Sequence, residues 1–136
     1  MTPEQLAQIH SAAFTLERGW TAAEFTDLIA SAYVNLFTAD GGFALTRTVA
    51  GESELLTLAV HPDHQRRGIA LGLLSDWIAA IQPHVETAFL EVAADNHRAL
   101  ALYQSAAFTR SGQRKAYYAR NGAPAVDAVL MSRAFP

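Results

Sequence analysis

The sequence predicts an α/β fold in which a mixed, largely antiparallel β-sheet carries helices on both faces. Segments with helical and strand periodicity follow one another in the order α-α-β-β-β-α-β-α-β-β. Short glycine-containing turns join the first three strands, as in antiparallel hairpins. A helix then connects the third strand to the fourth, which predicts a parallel crossover. The length of 136 residues, 51% of them hydrophobic, suits a single domain over residues 1–136.

Two helix starts open the chain. Thr2 is placed to cap a first helix, Pro3 suits its first position, and Gln5 completes a capping box. Thr21 and Glu24 form a second capping box ahead of another amphipathic stretch. We therefore expect two helices before the first strand.

The remaining elements are predicted from their apolar periodicity and from the turns between them. Predicted strands cover residues 33–38, 43–49, 55–60, 87–92, 108–118 and 125–131. Predicted helices cover residues 68–81 and 96–106, the latter capped by Asp95 or Asn96.

Composition excludes several classes of function. The formal net charge of −3 disfavours a sequence-independent nucleic-acid binder, which would normally be basic. The absence of cysteine excludes disulfides, thiolate metal sites and cysteine nucleophiles. The chain starts without a signal-peptide pattern, and no apolar run reaches the roughly 18 residues of a membrane span, so we expect a soluble cytoplasmic protein without membrane contact. We also expect no metal, and surface positions for the histidines, which lack metal-ligand spacing: His10, His61, His64, His84 and His97.

The first candidate site is a polar loop between a strand ending at Val60 and a helix beginning near Gly68. A helix start offers unpaired N–H groups and partial positive charge, glycine admits an anion close to the backbone, and Arg66 and Arg67 add charge. The spacing matches neither a nucleotide P-loop nor a dinucleotide fingerprint. The loop is therefore either a phosphate cradle or a solvated basic turn.

The second candidate site is Glu91, an acid within an otherwise apolar predicted strand. Burial there would disfavour its charged form and suit it to act as a general base. Alternatively, Glu91 faces water at an edge or forms a buried ion pair. Tyr103 follows on an apolar helix face, where a lone tyrosine is usually a packing residue.

Both segments resemble the GNAT superfamily of N-acetyltransferases. Gln65-Arg66-Arg67-Gly68-Ile69-Ala70 is similar to the Gln/Arg-x-x-Gly-x-Gly/Ala motif of that superfamily. Within that superfamily, the chain resembles the RimI-type ribosomal-protein-alanine N-acetyltransferases at several further positions. These are Leu90-Glu91-Val92, Asn96, Leu102-Tyr103, Ala107-Phe108, Arg114-Lys115-Ala116-Tyr117-Tyr118 and Asp127-Ala128.

The resemblance implies a co-substrate, acetyl-CoA, and a role for each matching residue. Glu91 would be the general base and Tyr103 the general acid, in direct transfer without a covalent enzyme intermediate. The sheet would splay between the fourth and fifth family strands, near Val60 and Glu91. Apart from the resemblance, the oxyanion needs a hydrogen-bond donor, and a free backbone N–H near Val60 would supply it if the strand bulges there. The implied cofactor-binding residues are Leu58, Ala59 and Val60 for the pantetheine arm, Arg66, Arg67, Gly68, Ile69, Ala70 and Leu71 for the pyrophosphate, and Asn96.

The implied acceptor is a protein N-terminal α-amine, typically the alanine of a small-subunit ribosomal protein. Four residues would border this amine: Trp20, Glu54, Tyr117 and Tyr118. Alternatively, Trp20 is a hydrophobic staple of the second helix, and Glu54 is a solvent-facing acid on an edge strand. An acetyltransferase for a small-molecule amine and a non-catalytic acyl-CoA sensor remain alternatives. Oligomeric state is not predicted. The chain departs from the family pattern in lacking a strand before the first helix and in carrying Ala93, Ala107 and Val126 where RimI-type enzymes have arginine, glycine and glutamate.

Overall fold

The computed structural model describes residues 1–136, and two helices come first, as predicted. Helix α1 spans Pro3–Ala13 and α2 spans Ala22–Ile29. Each begins with a complete capping box, in which a threonine hydroxyl and a side chain three residues later satisfy backbone N–H groups in both directions.

A six-stranded sheet follows, in the order β1-β2-β3-β4-β6-β5. Only β3 and β4 run parallel, so the predicted mixed, largely antiparallel sheet is confirmed. Helix α1 is the first element, and no strand precedes it in residues 1–136. The strands are β1 (Val34–Ala39), β2 (Gly42–Val49), β3 (Glu52–Val60), β4 (Thr87–Ala93), β5 (Thr109–Arg120) and β6 (Ala123–Ala134).

Helices α3 (Ile69–Ile81) and α4 (His97–Ser105) cover one face of the sheet, and α1 and α2 the other. On the α3 face, Trp77 is fully buried and its indole N–H donates to Ser53 Oγ at 2.9 Å. On the opposite face, Leu6 and Phe25 pack with residues of β2 and β3. Two apolar clusters thus lie on the two faces, as expected for a sheet with helices on both.

The parallel strands separate part-way along their length. Register pairs join β3 and β4 only from Glu52–Thr87 to Leu55–Leu90, and Glu91 is the first β4 residue beyond the last pair. The predicted splay is therefore present. It leaves the last five residues of β3 without a β4 partner, so their backbone groups on that side face open space.

The bulge in β3 lies at Leu56, and the prediction that placed it near Val60 is wrong. Leu45 pairs with Thr57 and Thr46 with Leu55, so Leu56 is the extra residue. The extra residue changes the side-chain alternation: Leu55 and Leu58 join the same apolar cluster although three positions separate them. Apolar residues occur on both faces of β3, so the pattern does not reveal where the alternation changes.

Candidate active site

A continuous cleft of about 1120 Å³ passes through the splay. Residues from both faces of the sheet line it, including every predicted site residue except Arg67. We call its two parts the α3 end and the hairpin end. The α3 end is lined by Leu58, Ala59, Val60, His64, Gln65, Arg66, Gly68, Ile69, Ala70, Leu71 and Asn96. The hairpin end is lined by Trp20, Glu54, Tyr117 and Tyr118.

The start of α3 has the features of an anion cradle. Gly68 is the N-cap, with φ of +76°, and no side chain caps the helix. Arg66 is also left-handed, with φ of +65°, so two residues of this turn adopt the left-handed conformation that occurs in anion-binding nests. The space beside Gly68 is open, since a Cβ built there meets nothing within 4 Å. A phosphate fits this turn.

Gln65 connects the cradle to the separated strand. Its amide nitrogen donates to the carbonyl of Val60 at 3.0 Å, and its amide oxygen accepts from Arg98 at 3.2 Å. Arg98 lies in α4 and lines the cleft, which adds a cation that the sequence patterns did not single out. The α3 end is therefore framed from both β3 and α4.

Asn96 lines the cleft and is also the N-cap of α4. Its carboxamide oxygen accepts the N–H of Ala99 at 3.2 Å and so caps α4, which decides between the two predicted caps. Its amide nitrogen and the second lone pair of its oxygen remain to contact a molecule in the cleft.

Tyr103 reaches the splay from α4. Its ring packs against Phe108 with centroids 6.3 Å apart, and only 7% of the residue is exposed. Tyr103 lines the cleft, and burial raises its pKa above the ordinary value for tyrosine. The packing role and the site role thus coexist, and the phenol stays protonated at neutral pH.

Glu91 approaches the splay from the opposite face. Ala88, Leu90 and Val92 on β4 belong to the α3-side cluster, so strand alternation directs Glu91 to the α1 side. Its side chain is 20% exposed, and Arg114 Nη2 lies 3.1 Å from its Oε1. The sequence left open whether Glu91 is a buried base or an ion-paired acid. In the structure, the carboxylate is ion-paired with Arg114 and also lines the cleft.

The remaining predicted residues surround the hairpin end. Trp20 precedes the cap of α2 and packs on Phe25 at 5.6 Å, so it is a helix staple as well as a cleft residue. Glu54 pairs with Arg47 at 2.8 Å. Tyr118 lies near Glu17 and Glu91, and burial together with these charges raises its pKa to about 12.

Comparison with known proteins identifies the family. Residues 5–108 match the model of the acetyltransferase (GNAT) family, which is most of the chain. The chain belongs to the GNAT family. It is therefore an N-acetyltransferase whose acyl donor is acetyl-CoA.

Individual relatives agree with this membership. The ribosomal protein bS18-alanine N-acetyltransferase of Escherichia coli K12 is 34% identical over 118 residues, covering 83% of this chain and 79% of the relative. N-alpha-acetyltransferase RimI of Mycobacterium tuberculosis H37Rv is 34% identical over 139 residues, covering 96% and 85%.

Solved structures show the same fold. The crystal structure of the Escherichia coli ribosomal-protein-S18-alanine N-acetyltransferase matches with a TM-score of 0.88 at 30% identity, over 98% of this chain and 87% of that one. NAA60 of Arabidopsis thaliana, in complex with acetyl-CoA, matches with a TM-score of 0.80 at 20% identity, over 98% and 93%, a likeness of fold alone.

Asp127 organises the hairpin end of this GNAT enzyme, a role that the sequence motif did not predict. Strand β5 bulges at Lys115–Tyr117, because Arg114 pairs with Ala128 while Tyr118 pairs with Val126. Asp127 holds this bulge: its carboxylate accepts the N–H of Ala116 at 2.8 Å and the amide of Gln113. These hydrogen bonds lower the pKa of Asp127, and the bulge sets the positions of both tyrosines.

A second group of charges links this GNAT enzyme's loops. The side chain of Arg120 is only 7% exposed; it lies 2.9 Å from Asp95, beside Asn96, and 3.6 Å from Glu17, after α1. Burial raises the pKa of Glu17, partly offset by Arg120. The cluster depends on residues far apart in sequence, and no local pattern predicts it.

His10 is buried, so the prediction of a surface position is wrong for this histidine. It is 3% exposed, lines the cleft, and accepts the N–H of Trp20. Its spacing of four from both Leu6 and Phe14 places it on the apolar face of α1, and this signal could have identified it. The structure has no group of three or more His, Asp or Glu side chains arranged to hold a metal ion, and none of its helices is long and apolar enough to cross a membrane.

Proposed function

We propose that this enzyme acetylates the N-terminal α-amine of a protein that begins with alanine, with Glu91 as base and Tyr103 as acid. One observation carries the proposal: Glu91 and Tyr103 come from opposite faces of the sheet and line the same cleft where β3 and β4 separate. Acetyl-CoA supplies the activated acetyl thioester when bound.

Glu91 has the position and chemistry to accept a proton from the attacking amine. An amine attacks only in its neutral form, and a carboxylate beside it can take the proton directly or through water. Arg114 Nη2 lies 3.1 Å from Oε1 of Glu91, and this ion pair fixes the orientation of the carboxylate. In this arrangement Arg114 positions the base and does not react.

Tyr103 acts on the other side of the splay. Because burial raises its pKa, its hydroxyl carries a proton at neutral pH and is available as a donor. Directed at the departing sulfur, the hydroxyl stabilises negative charge as the carbon–sulfur bond breaks and supplies the proton that the thiol finally holds.

The choice of acceptor rests on two kinds of support. The relative from Escherichia coli is named for its action on the alanine of ribosomal protein bS18, and it is 34% identical to this chain. An α-amine also has a pKa of about 8 against about 10.4 for lysine, so roughly a few hundred-fold more of it is neutral near pH 7. We propose a small-subunit ribosomal protein as partner, which also implies a cytoplasmic location.

Mass spectrometry of two peptides tests this function. One peptide begins with a free alanine and contains no lysine; the other has the same sequence with a blocked N-terminus and one lysine. After incubation with acetyl-CoA we expect acetylation of the first at a rate at least 10-fold higher than the second. Equal rates would contradict α-amine specificity. Turnover of neither peptide, but of a polyamine, would favour a small-molecule enzyme, and binding of acetyl-CoA without any turnover would favour a sensor.

A further inference from the structure

His10 is a buried polar side chain that the proposed chemistry does not use. It lies on α1 and is 3% exposed. Aromatic rings surround it: Phe14 at 4.6 Å, Trp20 stacked at 4.9 Å and Phe25 edge-on at 5.8 Å. A phenylalanine would satisfy these contacts equally well, so packing alone does not explain a histidine here.

The nitrogen Nδ1 of His10 has a specific partner. It accepts the backbone N–H of Trp20 at 3.2 Å. The Trp20 N–H is partly buried and needs an acceptor, and Nδ1 can accept only when the ring is neutral and its proton is on Nε2. Burial, assisted by the charge of Arg18 and opposed by that of Glu24, lowers the pKa of His10 to about 4, so the ring is neutral near pH 7.

Other contacts hold the same loop, residues 14–20, from outside. Arg18 pairs with Glu24 at 2.6 Å, and Glu17 lies 3.6 Å from Arg120. Gly19 lies directly against α1, because a Cβ built on it would come within 2.3 Å of Ser11 Oγ. His10 holds the loop from the interior and, like Trp20, lines the cleft.

We propose that His10 is a positioning residue of the acceptor site, whose imidazole holds the backbone and ring of Trp20 in place as one wall of the hairpin end. The proposal rests on the proposed function, since that function assigns the hairpin end to the acceptor. His10 does not touch the reacting atoms. It acts through Trp20, and its effect is confined to acceptor binding.

Three substitutions separate the hydrogen bond from the packing. His10→Phe keeps the ring and removes the acceptor. His10→Asn places an amide oxygen near the position of Nδ1, whereas His10→Gln places its amide near Nε2. His84→Phe, at an exposed histidine after α3, is the matched control. Each variant is assayed for kcat, for KM of the alanine peptide and for KM of acetyl-CoA, with thermal unfolding as a check on folding.

We expect His10→Phe to raise the peptide KM roughly 10-fold while the acetyl-CoA KM stays within two-fold. His10→Asn should restore the peptide KM to within about three-fold of wild type, and His10→Gln should not. An unchanged peptide KM in His10→Phe would overturn the proposal. Rescue by Gln instead of Asn would do the same, as would a parallel rise of both KM values.

Amide hydrogen exchange of Trp20, followed by NMR, is independent of turnover. Exchange should be slow in wild type and His10→Asn, and fast in His10→Phe and His10→Gln. Slow exchange in all four would overturn the proposal. If the wild-type enzyme acetylates a small amine and no peptide, the proposed function is wrong. The role of His10 is then tested separately, by comparing the KM for that amine among the same variants.

Discussion

The two ends of the cleft are built in different ways. At the α3 end, one continuous stretch, residues 58–71, supplies most of the lining. Its main features are backbone ones: the open edge of β3 and the left-handed turn at Gly68. At the hairpin end, side chains from α1, the loop after it, β3 and β5 meet across long sequence distances. The first can be recognised from one local motif, whereas the contacts that hold the second together are visible only in the fold.

This difference also predicts how the two ends respond to change. A backbone site tolerates most side-chain substitutions but not a change in local conformation. A site held by buried polar contacts is sensitive to the loss of any one partner, since the other partner is left unsatisfied. Variants at the two ends should therefore affect the two substrates separately, and a variant between them should affect turnover alone.

The largest effect is expected between the two ends. Tyr103→Phe removes only the hydroxyl and keeps the packing on Phe108, so kcat should fall roughly 10²-fold while both KM values stay within about two-fold. Steady-state kinetics with each substrate varied measures this. A kcat within a factor of two of wild type would leave Tyr103 as a packing residue only.

A large effect confined to one substrate is expected at the α3 end. Gly68→Val puts a branched side chain at φ of +76° and fills the open cradle, so the Kd for acetyl-CoA should rise at least roughly 30-fold. Isothermal titration measures it. Gly122→Val is the control: Gly122 has φ of +68°, a Cβ there also meets nothing within 4 Å, and it lies at the β5–β6 turn. Equal losses in both variants would show that strain, and not the cradle, is responsible.

A smaller effect confined to the other substrate is expected at the hairpin end. Asp127→Ala releases the bulge that positions Tyr117 and Tyr118, so the KM for the alanine peptide should rise roughly five-fold with acetyl-CoA KM unchanged. Asp127→Asn, which retains one acceptor oxygen, should have an intermediate value. A rise in the acetyl-CoA KM instead would contradict the separation of the two ends.

The remaining effect is on stability, not on substrate binding, and follows from His10. Its folded pKa of about 4 is below the unfolded value of about 6.5, so between these pH values the unfolded chain binds a proton that the native state does not. Native stability therefore falls as pH drops from 6.5 to 4, by about 2 kcal/mol from this group, whose nearest charges are Arg18 and Glu24. Chemical unfolding from pH 7 to 4.5 should show this extra loss in wild type and not in His10→Phe; parallel curves would refute it.

The sequence is sufficient to predict the order of elements, the mixed sheet, both capping boxes and the family. These features depend on local signals, such as Thr2 with Gln5, or on the short motif around Gly68. The bulge at Leu56 could not be predicted, because apolar residues on both faces of β3 hide the change in alternation. Strand ends at the β5–β6 hairpin were also missed, since β5 is largely exposed and has no apolar pattern there.

Every predicted site residue except Arg67 lines the cleft, but the partners of these residues were not predicted. Arg114 at Glu91 and Arg120 at Glu17 and Asp95 are contacts between distant segments. Each depends on register and loop path, which composition and spacing do not encode.

The pH–rate profile of Glu91→Gln tests the central claim most directly. The variant keeps the shape of the side chain and deletes its basicity, so it should bind acetyl-CoA normally and lose most activity near pH 7. With the alanine peptide, activity should recover partly as pH rises, because the amine then loses its proton unaided, and recovery should come at lower pH than with the lysine peptide. A variant profile that parallels wild type at every pH would contradict the assignment of Glu91 as the base.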